Sequence, residues 1–178
     1  EDGLQQATRL AVAARHAQRF RNAGCEKVVD LGCGLGVDSL ALAGLGIAVD
    51  AIEKDPTTAE LAAYNLLPFE GARVLVGDSL DAPVEAYDGA FADPARRSSR
   101  GRTFDPSAYS PPLDALLALR ERQPSLGVKV APGISYGHLP ADVHAQWVSV
   151  DGSVVEAGLW FGDLAPEGPG RSALVIGP

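Results

Sequence analysis

A run of glycines, three spaced carboxylates and one acid–proline pair are the residues of this chain whose types and spacing could do chemistry. Gly32-Cys33-Gly34-Leu35-Gly36 is a G-x-G-x-G loop. Its glycines permit a tight turn and let a ligand approach the backbone closely. A dinucleotide fingerprint reads G-x-G-x-x-G, and its third glycine would fall on Val37, so the match to a pyrophosphate loop is imperfect. Asp30 precedes the loop, and a carboxylate there suits a cationic ammonium group rather than a pyrophosphate. Glu53 follows Gly32 by 21 residues, where an acid typically grips a ribose diol. Asp78, with Ser79 beside it, could accept a hydrogen bond from an exocyclic amine such as that of adenine. Together these requirements describe a ligand with an adenine, a ribose and an amino-acid tail. Asp93-Pro94 is a fourth site, with an acid placed to orient an acceptor group.

These residues need elements to hold them, and the pattern supplies strand ends. Residues 4–21 carry Leu4, Ala7, Ala11, Ala14 and Phe20 among polar residues, an amphipathic helix stopped at Asn22-Ala23-Gly24. Short apolar runs predict strands at 27–31, 47–53, 73–76, 89–92 and 126–131. Helices are expected from Val37 to Ala43, for about twelve residues after Asp55-Pro56 with Pro56 in the first turn, and from Pro112 to Glu121. Strands alternating with helices imply a parallel sheet covered on both faces. Residues 146–150, 154–161 and 172–176 are β-rich, with Asp151-Gly152 as a hairpin turn. In such sheets ligands bind beyond the carboxyl ends of the strands, and Asp30 to Gly36, Glu53, Asp78 and Asp93 all fall there.

Composition bounds the reading. The chain has 178 residues, 46% hydrophobic and 21% charged, which suits one globular domain and excludes wholesale disorder. Its net charge of −8 argues against non-specific nucleic-acid wrapping by this chain alone. Cys25 and Cys33 are the only cysteines, too few for a disulfide framework or a four-cysteine zinc site, so a reduced, cytoplasmic setting is expected. No apolar run is long enough for a membrane span. The three histidines, His16, His138 and His144, lack metal-ligand spacing, and no metal is expected. Trp147 and Trp160 are expected in the core. The absence of methionine, with Glu1 first, suggests a piece of a longer protein.

The stretches VVDLGCGLG (28–36), AIEKDP (51–56), GDS (77–79) and ADPAR (92–96) resemble the class I S-adenosylmethionine-dependent methyltransferases. The resemblance covers about residues 26–131. It implies a Rossmann-like, seven-stranded, mostly parallel α/β sheet with helices on both faces, closed here by a C-terminal antiparallel hairpin. Residues 1–24 would be a helix packing on or leading into the core, and 25–178 the methyltransferase domain. It further implies S-adenosylmethionine as cofactor and S-adenosylhomocysteine as product. Gly32, Gly34 and Gly36 would cradle the methionine part, Glu53 would bind the ribose, and Asp78 the adenine amine.

The acceptor side rests on residues 93–112. Many methyltransferases of nucleobase amines carry Asp/Asn-Pro-Pro-aromatic after the fourth strand. There the acid and a backbone carbonyl accept hydrogen bonds from the amine. Here Asp93 and Pro94 match, Ala95 replaces the second proline and Arg96 replaces the aromatic. Phe104 or Tyr109 could supply the missing stacking surface, or Arg96 through its guanidinium plane. DPAR also resembles the RNA uracil-5 methyltransferases, but their nucleophilic cysteine has no counterpart in Val130-Ala131-Pro132-Gly133. Arg96, Arg97, Arg100 and Arg102 crowd seven positions of an acidic chain. Their plain reading is a solvated loop, and their functional reading is a phosphate contact. The whole pattern DPARR…GR..DP..Y.PP resembles bacterial methyltransferase-like proteins fused to a THUMP-like RNA-binding domain. The expectation is methylation of an amino nitrogen of an RNA base, with the fused part bringing RNA affinity. The alternatives are a small-molecule or protein acceptor, or a degenerate fold that binds S-adenosylmethionine without catalysis.

Overall fold

The computed structural model describes residues 2–95, 97–98, 101–102 and 106–177, with side chains from Leu10 onward except across 96–105. It divides into two compact units, Glu1–Phe91 and Ala92–Pro178. Eight strands carry the main sheet pairing, in a mixed α/β arrangement of mostly parallel strands with an antiparallel hairpin near the C-terminus. The expected count was seven.

The first unit runs α1 (Asp2–Asn22), β1 (Lys27–Leu31), α2 (Val37–Gly44), β2 (Ala48–Glu53), α3 (Pro56–Leu66), β3 (Ala72–Val76) and β4 (Gly89–Ala92). Its strand order is β4-β1-β2-β3, with β1–β2 and β2–β3 parallel. Two apolar, fully buried strands, VVDL of β1 and GAFA of β4, make its centre. The amphipathic helix α1 packs against α2, and its Val12, Ala13, Ala17 and Phe20 are buried, Phe20 meeting Phe91 of β4 edge-on. Gly24, at φ 76, ends it in the left-handed conformation that favours glycine. Asp55 caps α3 by accepting from the Thr58 N–H at 2.8 Å and the Thr58 hydroxyl at 2.6 Å, and Pro56 opens the helix as expected.

A second feature of this unit has no sequence forecast. Asp50, buried on β2, accepts two bonds from Arg73 (2.8 and 2.7 Å) and one from the Tyr87 hydroxyl (2.9 Å), with Lys27 Nζ 3.3 Å away. Lys27, Asp50 and Arg73 come from β1, β2 and β3, so the cluster ties three strands together near their amino ends. The Arg73 hydrogen bond, against the opposing effect of burial, holds the Asp50 carboxyl down at about 2, and burial with the Asp50 charge pushes the Tyr87 hydroxyl up to about 12.

The second unit holds a short antiparallel ribbon, β5 (Arg97–Ser98) with β6 (Gly101–Arg102), then α4 (Leu113–Ala118), β7 (Leu126–Val130), β8 (His144–Val150), β9 (Ser153–Trp160) and β10 (Gly170–Ile176). Parts of the 93–112 stretch are thus regular. Its base is closed by the Ala95–Ser110 bridge, which exchanges both backbone bonds at 3.0 Å. Strand order is β10-β8-β9-β7. The β8–β9 hairpin turns at Asp151-Gly152, both at positive φ (48° and 78°), as the Asp-Gly signal requires. The eighth strand, β10, lies parallel to β8 at the edge. Between β7 and β8 there is only a single 3-10 turn, Tyr136–His138. Tyr136 from this turn meets Trp147 of β8 edge-on (5.7 Å) and lies under the Arg171 guanidinium of β10 (4.5 Å). Trp160 is buried, whereas Trp147 is half-buried and donates to the Pro132 carbonyl at 2.9 Å.

Candidate functional site

The glycine loop leaves β1 and is stitched to the end of β2. Gly32 N–H and Cys33 N–H both donate to the Ile52 carbonyl, at 2.8 and 3.0 Å. Gly32, Gly34 and Gly36 sit at φ 77°, 55° and 81°, in the region that costs an ordinary residue. A Cβ built on Gly36 would touch Leu66 and Ala62 at 3.5–3.7 Å, which is ordinary packing. A Cβ built on Gly34 would meet nothing within 4 Å, so open space borders the loop there.

The three acids reach this region differently. Glu53 ends β2 and closes on the loop, its Oε2 accepting from Gly34 N–H (3.0 Å) and its Oε1 from Asp55 N–H (2.9 Å). Gly77 N–H donates to the Glu53 carbonyl at 3.0 Å and so brings the end of β3 beside it. Asp78 follows, accepting from the exposed Lys54 ammonium (2.9 Å) and from Leu80 N–H (3.0 Å). Lys54 is the main cause of the lowered Asp78 pKa. Ser79 is buried at the start of the next turn. Asp30 is only 1% exposed and accepts the Ser39 hydroxyl of α2 at 2.5 Å. Its carboxylate therefore pins the helix that follows the loop, and its charge lies beneath the loop.

Cys33 belongs to the loop itself. Burial first, then the charges of Asp30 and Glu53, push its thiol far up, which removes the thiolate a nucleophile needs. Cys25 is buried, its thiol directed at the Asp88 carbonyl at 3.7 Å. Neither cysteine supports covalent attack on a base. The described residues hold no cluster of metal-ligating side chains, and none of their helices is long and apolar enough to cross a membrane. His16 is buried on α1, bonded to Asp38 of α2 (2.8 Å) and tilted on Phe91 (5.0 Å). His144 bonds the Gly168 carbonyl (3.0 Å) and Ser172 (2.9 Å). Both are core histidines, while His138 is exposed.

In the second unit Asp93 directly follows β4. Its Oδ2 lies 2.6 Å from the Lys129 ammonium of β7, a partner that sequence reasoning did not name. The signal was a lysine interrupting the buried run LGVKV. Pro94 is buried just before the Ala95–Ser110 bridge. Tyr109 is buried, 3% exposed, and its hydroxyl accepts from Ala131 N–H at 3.1 Å. Arg97 and Arg102 stand opposite each other in the β5–β6 register. Arg96, Arg100 and Phe104 lie outside the described residues.

Several solved structures follow a similar backbone course. A candidate methyltransferase from Porphyromonas gingivalis W83 superposes with a TM-score of 0.61 at 28% identity, over 77% of this chain and 36% of that one. The chain has the methyltransferase fold. A candidate RNA methyltransferase from Pyrococcus horikoshii (TM-score 0.52, 23% identity) is covered to 61% by 74% of this chain. A candidate caffeoyl-CoA O-methyltransferase from Staphylococcus aureus (TM-score 0.55, 16% identity) is covered to 83% by 84% of this chain. The methyltransferase-fold chain thus spans about a third of the first structure and three fifths of the second. No protein-family model matches it, and no curated protein sequence does.

The residues of the first unit fit S-adenosylmethionine on their own chemistry. The loop exposes left-handed backbone at Gly34, Glu53 offers a carboxylate beside it, and Asp78 offers a second whose Oδ2 is held by a solvent-exposed lysine.

Proposed function

We propose that this chain binds S-adenosylmethionine at Gly32–Gly36 and methylates an amino nitrogen of an RNA base. The observation that carries the cofactor half is the left-handed Gly32–Gly36 loop with Glu53 bonded to Gly34 N–H and the end of β3 brought beside Glu53. The cofactor supplies an electrophilic methyl group on a sulfonium centre. Glu53 takes the ribose hydroxyls, and Asp78 takes the adenine amine, exchanging Lys54 for it. Asp30, beneath the loop, favours the ammonium end through its field.

For the acceptor, Asp93 with the Pro94 carbonyl receives the amine N–H groups and sets the lone pair toward transfer. Alignment supplies much of the rate of an in-line displacement. The nitrogen's proton becomes acidic once the methyl has arrived, so an ordinary carboxylate suffices to take it. RNA is favoured as acceptor by the four arginines after Asp93. Arg96, Arg97, Arg100 and Arg102 put four cations within seven positions of an acidic chain, a density that suits a phosphate backbone. Further affinity would come from a fused RNA-binding domain.

The test combines calorimetry and transfer. S-adenosylhomocysteine should bind the wild type and Asp93→Ala alike. Methyl-labelled cofactor should mark bacterial RNA only with the wild type, and nucleoside mass spectrometry should find the label on an exocyclic amine. Absent S-adenosylhomocysteine binding refutes the cofactor reading. Binding without transfer to RNA refutes the acceptor reading, and label in small molecules or protein would name the other substrate class.

A further inference from the structure

Lys129 stands in the middle of β7 between Val128 and Val130, both fully buried. An ammonium in such a place is costly unless counter-charges meet it. Two do. Its Nζ lies 2.6 Å from Asp93 Oδ2 and 3.8 Å from Glu156 Oε2. Glu156 reaches it diagonally: Lys129 is in register with Gly158 of β9, and Glu156 is two residues along that strand, on the same face. Exposure of the three side chains rises outward, 7% for Glu156, 19% for Lys129 and 34% for Asp93. The inner acid therefore anchors the lysine, and the outer acid is what the lysine holds.

We propose that Lys129 is the positioning residue for Asp93: anchored by Glu156, its ammonium fixes the Asp93 carboxylate in one orientation and in its charged form. This rests on the reading of Asp93 as the group that receives the acceptor amine. A carboxylate held at 2.6 Å by a cation is a weak base and a well-directed hydrogen-bond acceptor. That suits orienting an amine, which must keep its lone pair for the methyl. It does not suit deprotonating a hydroxyl or thiol before transfer.

The test labels aspartate side chains with 13C at Cγ and assigns Asp93 by its loss in Asp93→Asn. The Asp93 carboxyl should titrate about one pH unit or more higher in Lys129→Met than in the wild type. Lys129→Arg should bring the midpoint back to the wild-type value. Should Lys129→Met fail to fold with Glu156 stranded, Lys129→Met/Glu156→Gln removes both buried charges, and the same upward shift is expected. In the transfer assay on bacterial RNA, Lys129→Met should lower kcat tenfold or more while leaving S-adenosylhomocysteine affinity unchanged. An Asp93 midpoint that stays put, or full kcat in Lys129→Met, overturns the proposal. If the wild type transfers nothing to RNA, the acceptor reading fails, and the Asp93 resonance still decides what Lys129 does.

Discussion

Gly34→Ala separates strain from ligand binding. Gly34 adopts φ 55°, where an alanine pays roughly 1–2 kcal/mol for the left-handed conformation and recovers about 0.4–1 kcal/mol through a less flexible unfolded chain. The new methyl meets no atom within 4 Å, so no steric term is added, and the backbone N–H keeps its bond to Glu53. The net loss is about 1 kcal/mol, which for a chain of this size lowers Tm by about 2–4 °C. The same methyl enters the space proposed for the cofactor. Forcing one carbon into a packed contact costs roughly 1–3 kcal/mol, or a loss of about 5- to 150-fold in affinity for S-adenosylhomocysteine. Gly24→Ala is the control, because Gly24 is at φ 76° with nothing within 4 Å, yet it ends α1 rather than bordering the loop. Thermal unfolding without ligand should show similar small losses for both variants, and calorimetry should show weakened binding for Gly34→Ala alone. Equal S-adenosylhomocysteine affinity in Gly34→Ala and the wild type would refute the placement of the ligand.

Three further outcomes follow from the packing. Asp50 has a folded pKa of about 2, below its unfolded value, so its stabilisation is complete above about pH 4 and is lost as pH falls toward 2; Asp50→Asn should cost about 2 kcal/mol at pH 7 and flatten the acid limb of stability in urea titrations. Gly158→Ala would place its Cβ 2.6–3.0 Å from the Trp160 indole, a fixed buried ring, so denaturant unfolding should show a loss of roughly 1–3 kcal/mol. Tyr109→Phe strands the buried Ala131 N–H and should cost about 1–3 kcal/mol in stability by denaturant unfolding; unchanged stability would refute that role for its hydroxyl.

What the amino-acid sequence determined by itself was local. Positive-φ turns demand glycine, so Gly32, Gly34, Gly36 and Asp151-Gly152 were legible as turns. Alternating apolar runs and the Asp55-Pro56 cap were legible as strands and a helix start, because those signals lie within a few residues of each other. The order of acids at strand ends was legible for the same reason. Partnership was decided only by tertiary structure, since it joins residues far apart in the chain. Asp30 was read as a ligand group, yet its nearest claim is Ser39 of the next helix. Tyr109 looked like a free aromatic until the fold buried it against Ala131. Lys129 became meaningful only when β7 brought it to Asp93 and β9 brought Glu156 to it, across 36 and 27 positions of sequence. The edge strand β10 was expected as a strand, but nothing in Ser172–Ile176 announces whether it will pair parallel or antiparallel, because strand direction is set by the path of the connecting chain.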